Sequence, residues 1–277
     1  MEQIKVNTRL HCKDNFENMK KYNEELDVLF EEWQKESEKN GHKNFCRDGL
    51  MYKGEFSCLK WDLKSPGNEN ELWHNEKQTR VLFLCKDLNN RDCDVAHDIR
   101  EWHCHKKGEN INTLFNKNLA YWLYGLLNID KKTNLAPEFD TLTIEKITDF
   151  FDKTPFAYVN CKKEAGVEKI SDSELRYHID LYKDFTKQEI EILNPDIIVC
   201  GGGRSIIKNF VKEHIYTDIE WVNNWIYYSK QRNKVVIDSY HPSYYQISGG
   251  SKTIYEGMMN AYQEFLKEYP EFLKSCR

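Results

Sequence analysis

Three polar residues stand at or near the ends of short apolar runs, and their types are those of acid–base and hydrogen-bonding chemistry. Asp87 closes RVLFLCKD, Asn160 falls near the end of FAYVNC, and His241 follows KVVID in the string SYHPSYYQISGGS. A carboxylate can orient or activate water. An amide both donates and accepts hydrogen bonds, and an imidazole can donate to an oxygen that gains negative charge. Each residue alone has an ordinary explanation. Asp87 could cap a helix, Asn160 could bond its own turn backbone, and His241 could be a loop histidine. Their common position after strand-like runs makes the set meaningful.

The apolar runs at 80–87, 156–161, 196–200 and 234–238 are short, rich in Val and Ile, and end in polar residues. This pattern predicts buried parallel strands with functional loops at their C-terminal ends. Helical spacing predicts helices over 14–40, 111–129, 172–193, 204–214 and 252–269, with Pro195 ending the third of these. Strands alternating with helices imply an α/β fold: a three-layer α/β/α sandwich around a central, mainly parallel four-stranded sheet. The composition shift near residue 80 divides the chain into a helical and irregular N-terminal extension, 1–79, and a catalytic domain, 80–277. Gly201, Gly202 and Gly203 lack a P-loop lysine and dinucleotide spacing, so they read as strand-to-helix turn geometry.

The 277 residues are 40% hydrophobic and 13% aromatic, enough for one sizeable core. No apolar run is long enough to cross a bilayer, and the N-terminus lacks a signal-peptide pattern. Nine cysteines, an odd number, fit free thiols in a reducing compartment. These features lead us to expect a cytoplasmic monomer with no membrane partner. The net charge of -5 does not advertise nucleic-acid binding, although a local basic groove can act against an acidic remainder.

The order strand–Asp87, strand–Asn160, strand–His241-Pro242-Ser243 resembles the uracil-DNA glycosylase-like superfamily. The resemblance spans residues 80–277 and includes PDIIVCGG; HPS after KVVID is its most specific part. It implies a DNA glycosylase that flips a pyrimidine-type base and hydrolyses its N-glycosidic bond, with DNA as the partner and no cofactor. The resemblance assigns catalysis to Asp87 and His241 and base reading to Asn160. Asn89 stands where typical members carry an aromatic residue that excludes 5-substituted bases. The substrate implied is therefore a larger pyrimidine, such as a 5-substituted or glucosylated base of phage DNA, with a role in defence. Trp102, His103 and Phe156 are candidate stacking partners for the flipped base. Lys162 and Lys163 are placed for DNA contact, and Ser243, Tyr244, Tyr245 and Gln246 for phosphate contact or filling the gap in the stack. Arg91, Arg100, Lys106 and Lys107 form a further basic cluster.

CKDLNN lacks the Gly and Pro of the family's first motif. Two other readings therefore stay open: a nucleotide-processing hydrolase using Asp87 and His241 as an acid–base pair, and a catalytically inactive DNA-binding module. WHCHKK with Cys93 completes no zinc pattern, and no metal is expected.

Overall fold

The computed structural model describes residues 21–57, 62–65, 67–89, 97–105, 111–166, 169–203 and 205–272. The four apolar runs form four parallel strands: β4 (Val81–Asn89), β5 (Ala157–Gly166), β6 (Ile197–Gly201) and β9 (Lys234–Ser239). They lie in the order β5-β4-β6-β9. The sheet is larger than the four strands expected. It has seven strands and is mixed, because short antiparallel strands are added at both edges. β1 (Gly49–Leu50) pairs with β5, while β8 (Ile226–Ser229) pairs with β9 and β7 (Glu220–Trp221) with β8. β1 and β7 are two residues long, too short to show a period-two pattern. A separate two-stranded ribbon joins β2 (Glu55–Ser57) and β3 (Asp62–Ser65).

Successive residues of a strand face opposite sides of the sheet. On β4, Val81, Phe83 and Cys85 join one core with α4 (Leu114–Leu127), α5 (Ile144–Lys153) and α8 (Gly250–Glu268). Leu82 and Leu84 join the other with α1 (Tyr22–Lys39), α6 (Asp172–Leu193) and α7 (Ile206–Phe210). The helix expected at 172–193 forms because Ser171 caps it, accepting from the Glu174 N–H, and Asn194 ends it in the left-handed region. The helix expected over 204–214 is shorter: α7 passes into a π turn at Val211–Ile215.

The chain before Arg80 shares the second core. Leu26, Phe30 and Trp33 of α1 are fully buried there beside Leu82 and Leu84. Two further short helices, α2 (Glu69–His74) and α3 (Ile99–His105), flank β4 in sequence. No helix among the described residues is long and apolar enough to cross a membrane.

Candidate functional site

Parallel strands end on the same side of a sheet, and the register brings the polar residues to nearly one level. Cys85 lies opposite Asn160 and Asp87 opposite Lys162 across β4 and β5. Gly201 lies opposite Ser239 across β6 and β9. β9 is separated from β4 by β6, a gap of about 10 Å at the usual strand spacing. The segment carrying His241 packs over the end of β6, which finishes without side chains. A Cβ on Gly201 would stand 2.6 Å from Cys85 Sγ and 3.3 Å from the Pro242 ring. A Cβ on Gly202, whose φ is +90°, would stand 2.9 Å from His241 Cβ. The two glycines let the His-Pro segment fold across the end of β6.

That segment is fixed from three sides. The Tyr244 N–H donates to the His241 carbonyl at 2.8 Å. Asn118, fully buried on α4, donates from Nδ2 to the Pro242 carbonyl at 2.5 Å. The Ser243 N–H donates to His241 Nδ1 at 3.2 Å. This last bond occupies the Nδ1 lone pair, so the neutral ring carries its proton on Nε2. Burial pushes the imidazole down to about 4, and the Lys86 charge acts in the same direction. His241 is therefore a neutral N–H donor near pH 7.

The His241 ring lies 5.7 Å from that of Phe115 on α4, and Phe115 meets Tyr158 edge-on, also at 5.7 Å. Tyr158 donates from its hydroxyl to Asn160 Oδ1 at 2.9 Å. The Asn160 backbone N–H donates to buried Asp48 at 2.8 Å. Imidazole, aromatic ring and amide thus form one connected chain of contacts. Asp87 is half-buried, and its Oδ2 makes no hydrogen bond among the described residues. Burial raises its carboxyl, while the Lys162 and Lys86 charges oppose that shift. One buried oxygen of this carboxylate thus lacks a partner, and burial opposes its charge more strongly than Lys162 and Lys86 support it.

Several sequence expectations change. Phe156 is buried immediately before β5, stacked on Phe151 at 4.7 Å and edge-on to Phe83 at 6.0 Å. It lies four residues, about 13 Å along the strand, from Asn160, so it is a core residue with no face for a base. Phe115, and not Phe156, lies beside the His241 ring. Lys163 is also withdrawn from any DNA contact. Its Nζ is buried between Asp48 and Glu189, bonded to both, and lies 4.9 Å from the Trp33 ring. Lys162 is buried beside Asp87 and pairs with Glu174 at 2.9 Å, so its charge serves the site interior. Arg100 is 1% exposed and bonded to Asp98 and Asp27, leaving nothing for phosphate.

Trp102 is half-buried, with its described ring contact edge-on to His97 at 5.6 Å. Asn89 is exposed at the end of β4. Ser243, Tyr245 and Gln246 are exposed beside His241, and Tyr244 stacks on Tyr240 at 5.1 Å. Arg91, Cys93, Lys106, Lys107 and the side chain of His103 lie outside the described residues. Asn118, Phe115 and Tyr158 escaped sequence reasoning. The one available signal was Asn118, a polar residue on an apolar helix face.

A cavity of about 400 Å³ opens at the other end of the sheet, lined by Thr79, Leu126, Ile129, Phe150 and Thr154. It is remote from Asp87 and His241, because Thr79 and Thr154 precede β4 and β5 rather than follow them. In sequence comparison the chain matches no protein-family model and no curated protein.

Proposed function

We propose that the chain is a DNA glycosylase of the uracil-DNA glycosylase-like kind, acting on an everted pyrimidine at the ends of β4, β5 and β9. The observation that carries this reading is the pairing of charge types: a neutral Nε2–H donor at His241 and an unpartnered carboxylate at Asp87. Cleavage passes through an oxocarbenium-like state, with positive charge on the sugar and negative charge on the departing base. Asp87 stabilises the first and His241 the second. Water adds its oxygen to C1′ and gives its proton to Asp87. The C1′–N1 bond breaks with its electron pair leaving on the base, which is then protonated from solvent. Phe115 supplies the aromatic face against which the base stacks, and Asn160 reads its edge.

Asn89, small and exposed, leaves room beside C5 of the ring, which favours a 5-substituted or glucosylated base. The proposed role is defence against phage with modified DNA, by a cytoplasmic monomer whose partner is DNA. The proposed architecture is a three-layer sandwich whose sheet carries this site at one end.

The test is abasic-site formation on DNAs containing uracil, 5-hydroxymethylcytosine or its glucosylated form. Base release from at least one is expected. Asp87→Asn and His241→Ala should each lower it about 10²- to 10⁴-fold with thermal stability retained. Release from free nucleosides but from no DNA would favour a nucleotide hydrolase and overturn the reading. So would an activity loss that merely follows unfolding.

A further inference from the structure

We propose that Tyr158 sets base selectivity by engaging the Asn160 carbonyl, so that the site presents N–H donors and accepts a cytosine-type base over uracil. This rests on the glycosylase reading and narrows its substrate.

A side-chain amide offers one carbonyl acceptor and two N–H donors. Here the acceptor is taken by the Tyr158 hydroxyl at 2.9 Å, in a contact where both residues are buried. Burial drives the Tyr158 hydroxyl well above its ordinary range, so it remains a donor at any working pH. The Asn160 backbone is fixed as well, through its N–H to Asp48. Asn160 Nδ2 makes no hydrogen bond among the described residues, and its two N–H groups are what the amide has left to offer. His241 presents a second donor from Nε2, since its Nδ1 accepts from Ser243. The same aromatic chain through Phe115 connects the two.

Two donors suit one ring edge in particular. Cytosine and its 5-substituted forms present acceptors at both O2 and N3. As the C1′–N1 bond breaks, the electron pair delocalises from N1 onto those two atoms, and each meets an N–H. Uracil presents O2 and O4 but carries a proton on N3 between them. That N–H would oppose Nδ2 and would have to compete with the Tyr158 hydroxyl for Oδ1. An unmatched buried donor of this kind corresponds to a preference of about ten- to a hundredfold.

The experiment measures two things on wild type and Tyr158→Phe. The first is binding of free cytosine, 5-hydroxymethylcytosine and uracil, followed by NMR of the side-chain amides. The second is base release from DNAs that differ only in the target base. Wild type should favour the cytosine-type bases about tenfold or more in both, and the ratio should fall several-fold in Y158F as the amide gains freedom to turn. Equal or better handling of uracil by wild type, or a preference that survives unchanged in Y158F, would overturn the proposal. The wild-type ratio decides half of this even if Y158F does not fold. Selective free-base binding without release from any DNA would sink the glycosylase reading and leave this one standing. Release without selectivity would do the reverse.

Discussion

Replacing Gly202 by Ala separates the cost of backbone strain from the cost of moving His241. Gly202 has φ of +90°, where an L side chain costs about 1–2 kcal/mol. An added Cβ would lie 2.9 Å from His241 Cβ, 3.1 Å from its N and 3.2 Å from its Cα, all closer than ordinary contact. These atoms belong to a segment tied down by Asn118 and by its own turn, so the histidine shifts as a unit by a few tenths of an ångström. Gly203 is the control. Its φ is +82°, but its Cβ would meet only the ends of the Leu175 and Ile207 side chains, the nearest at 3.2 Å. Those ends can rotate away. Both variants should lose about 2–8 °C in thermal midpoint, at about 2–4 °C per kcal/mol for a chain of this size. Base release should fall about 4- to 10-fold in Gly202→Ala, given that a full ångström of misplacement costs about a hundredfold. It should stay within about threefold of wild type in Gly203→Ala. Differential scanning fluorimetry and single-turnover release assays read the two quantities. Equal activity losses, or a G202A variant at full rate, would refute the account of how His241 reaches the site.

Two other perturbations address the buried charges. Lys163→Met leaves Asp48 and Glu189 buried without their cation, and Glu189 is already pushed well toward its neutral form by burial. Breaking such a network costs about 3–5 kcal/mol, so the thermal midpoint should drop by about 10 °C; an unchanged midpoint would mean that the pair is dispensable. For His241 the folded-state value, about 4, lies below the unfolded value of 6.5, as it does for His178. The stability these neutral rings contribute is complete above pH 6.5 and is lost as pH falls toward 4. Chemical denaturation between pH 7 and 4 should show that decline, reduced in His241→Gln, and a flat profile would contradict the burial argument.

Much of the frame was legible in the sequence because the signals are local. Apolar β-branched runs ending in polar residues marked the four parallel strands, and Asp87, Asn160 and His241 were singled out by their order at the ends of those runs, which resembles a known superfamily. The helix at Asp172–Leu193 was readable to the residue, since its cap and its terminator are adjacent to it. The edge strands were not legible. β1 is held by a partner more than a hundred residues away, and β7, paired with nearby β8, is two residues long and carries no pattern of its own.

At the site, the limit of sequence reasoning is clearest for the pair Lys162 and Lys163. Adjacent residues on a strand face opposite ways, and nothing local says what each meets. Lys163 enters an ion network because Asp48 and Glu189, 115 and 26 residues away, converge on it, while Lys162 turns to Asp87 and Glu174. Asn118 reaches Pro242 across 124 residues, and Phe156, aromatic and next to a strand like any stacking candidate, is enclosed by Phe83 and Phe151. The sequence by itself determined which residue types stand at the strand ends, because periodicity and strand termination are short-range properties. Only the tertiary structure decided which of them are buried, paired or free to act, because burial and ion pairing depend on which distant segments the fold brings together.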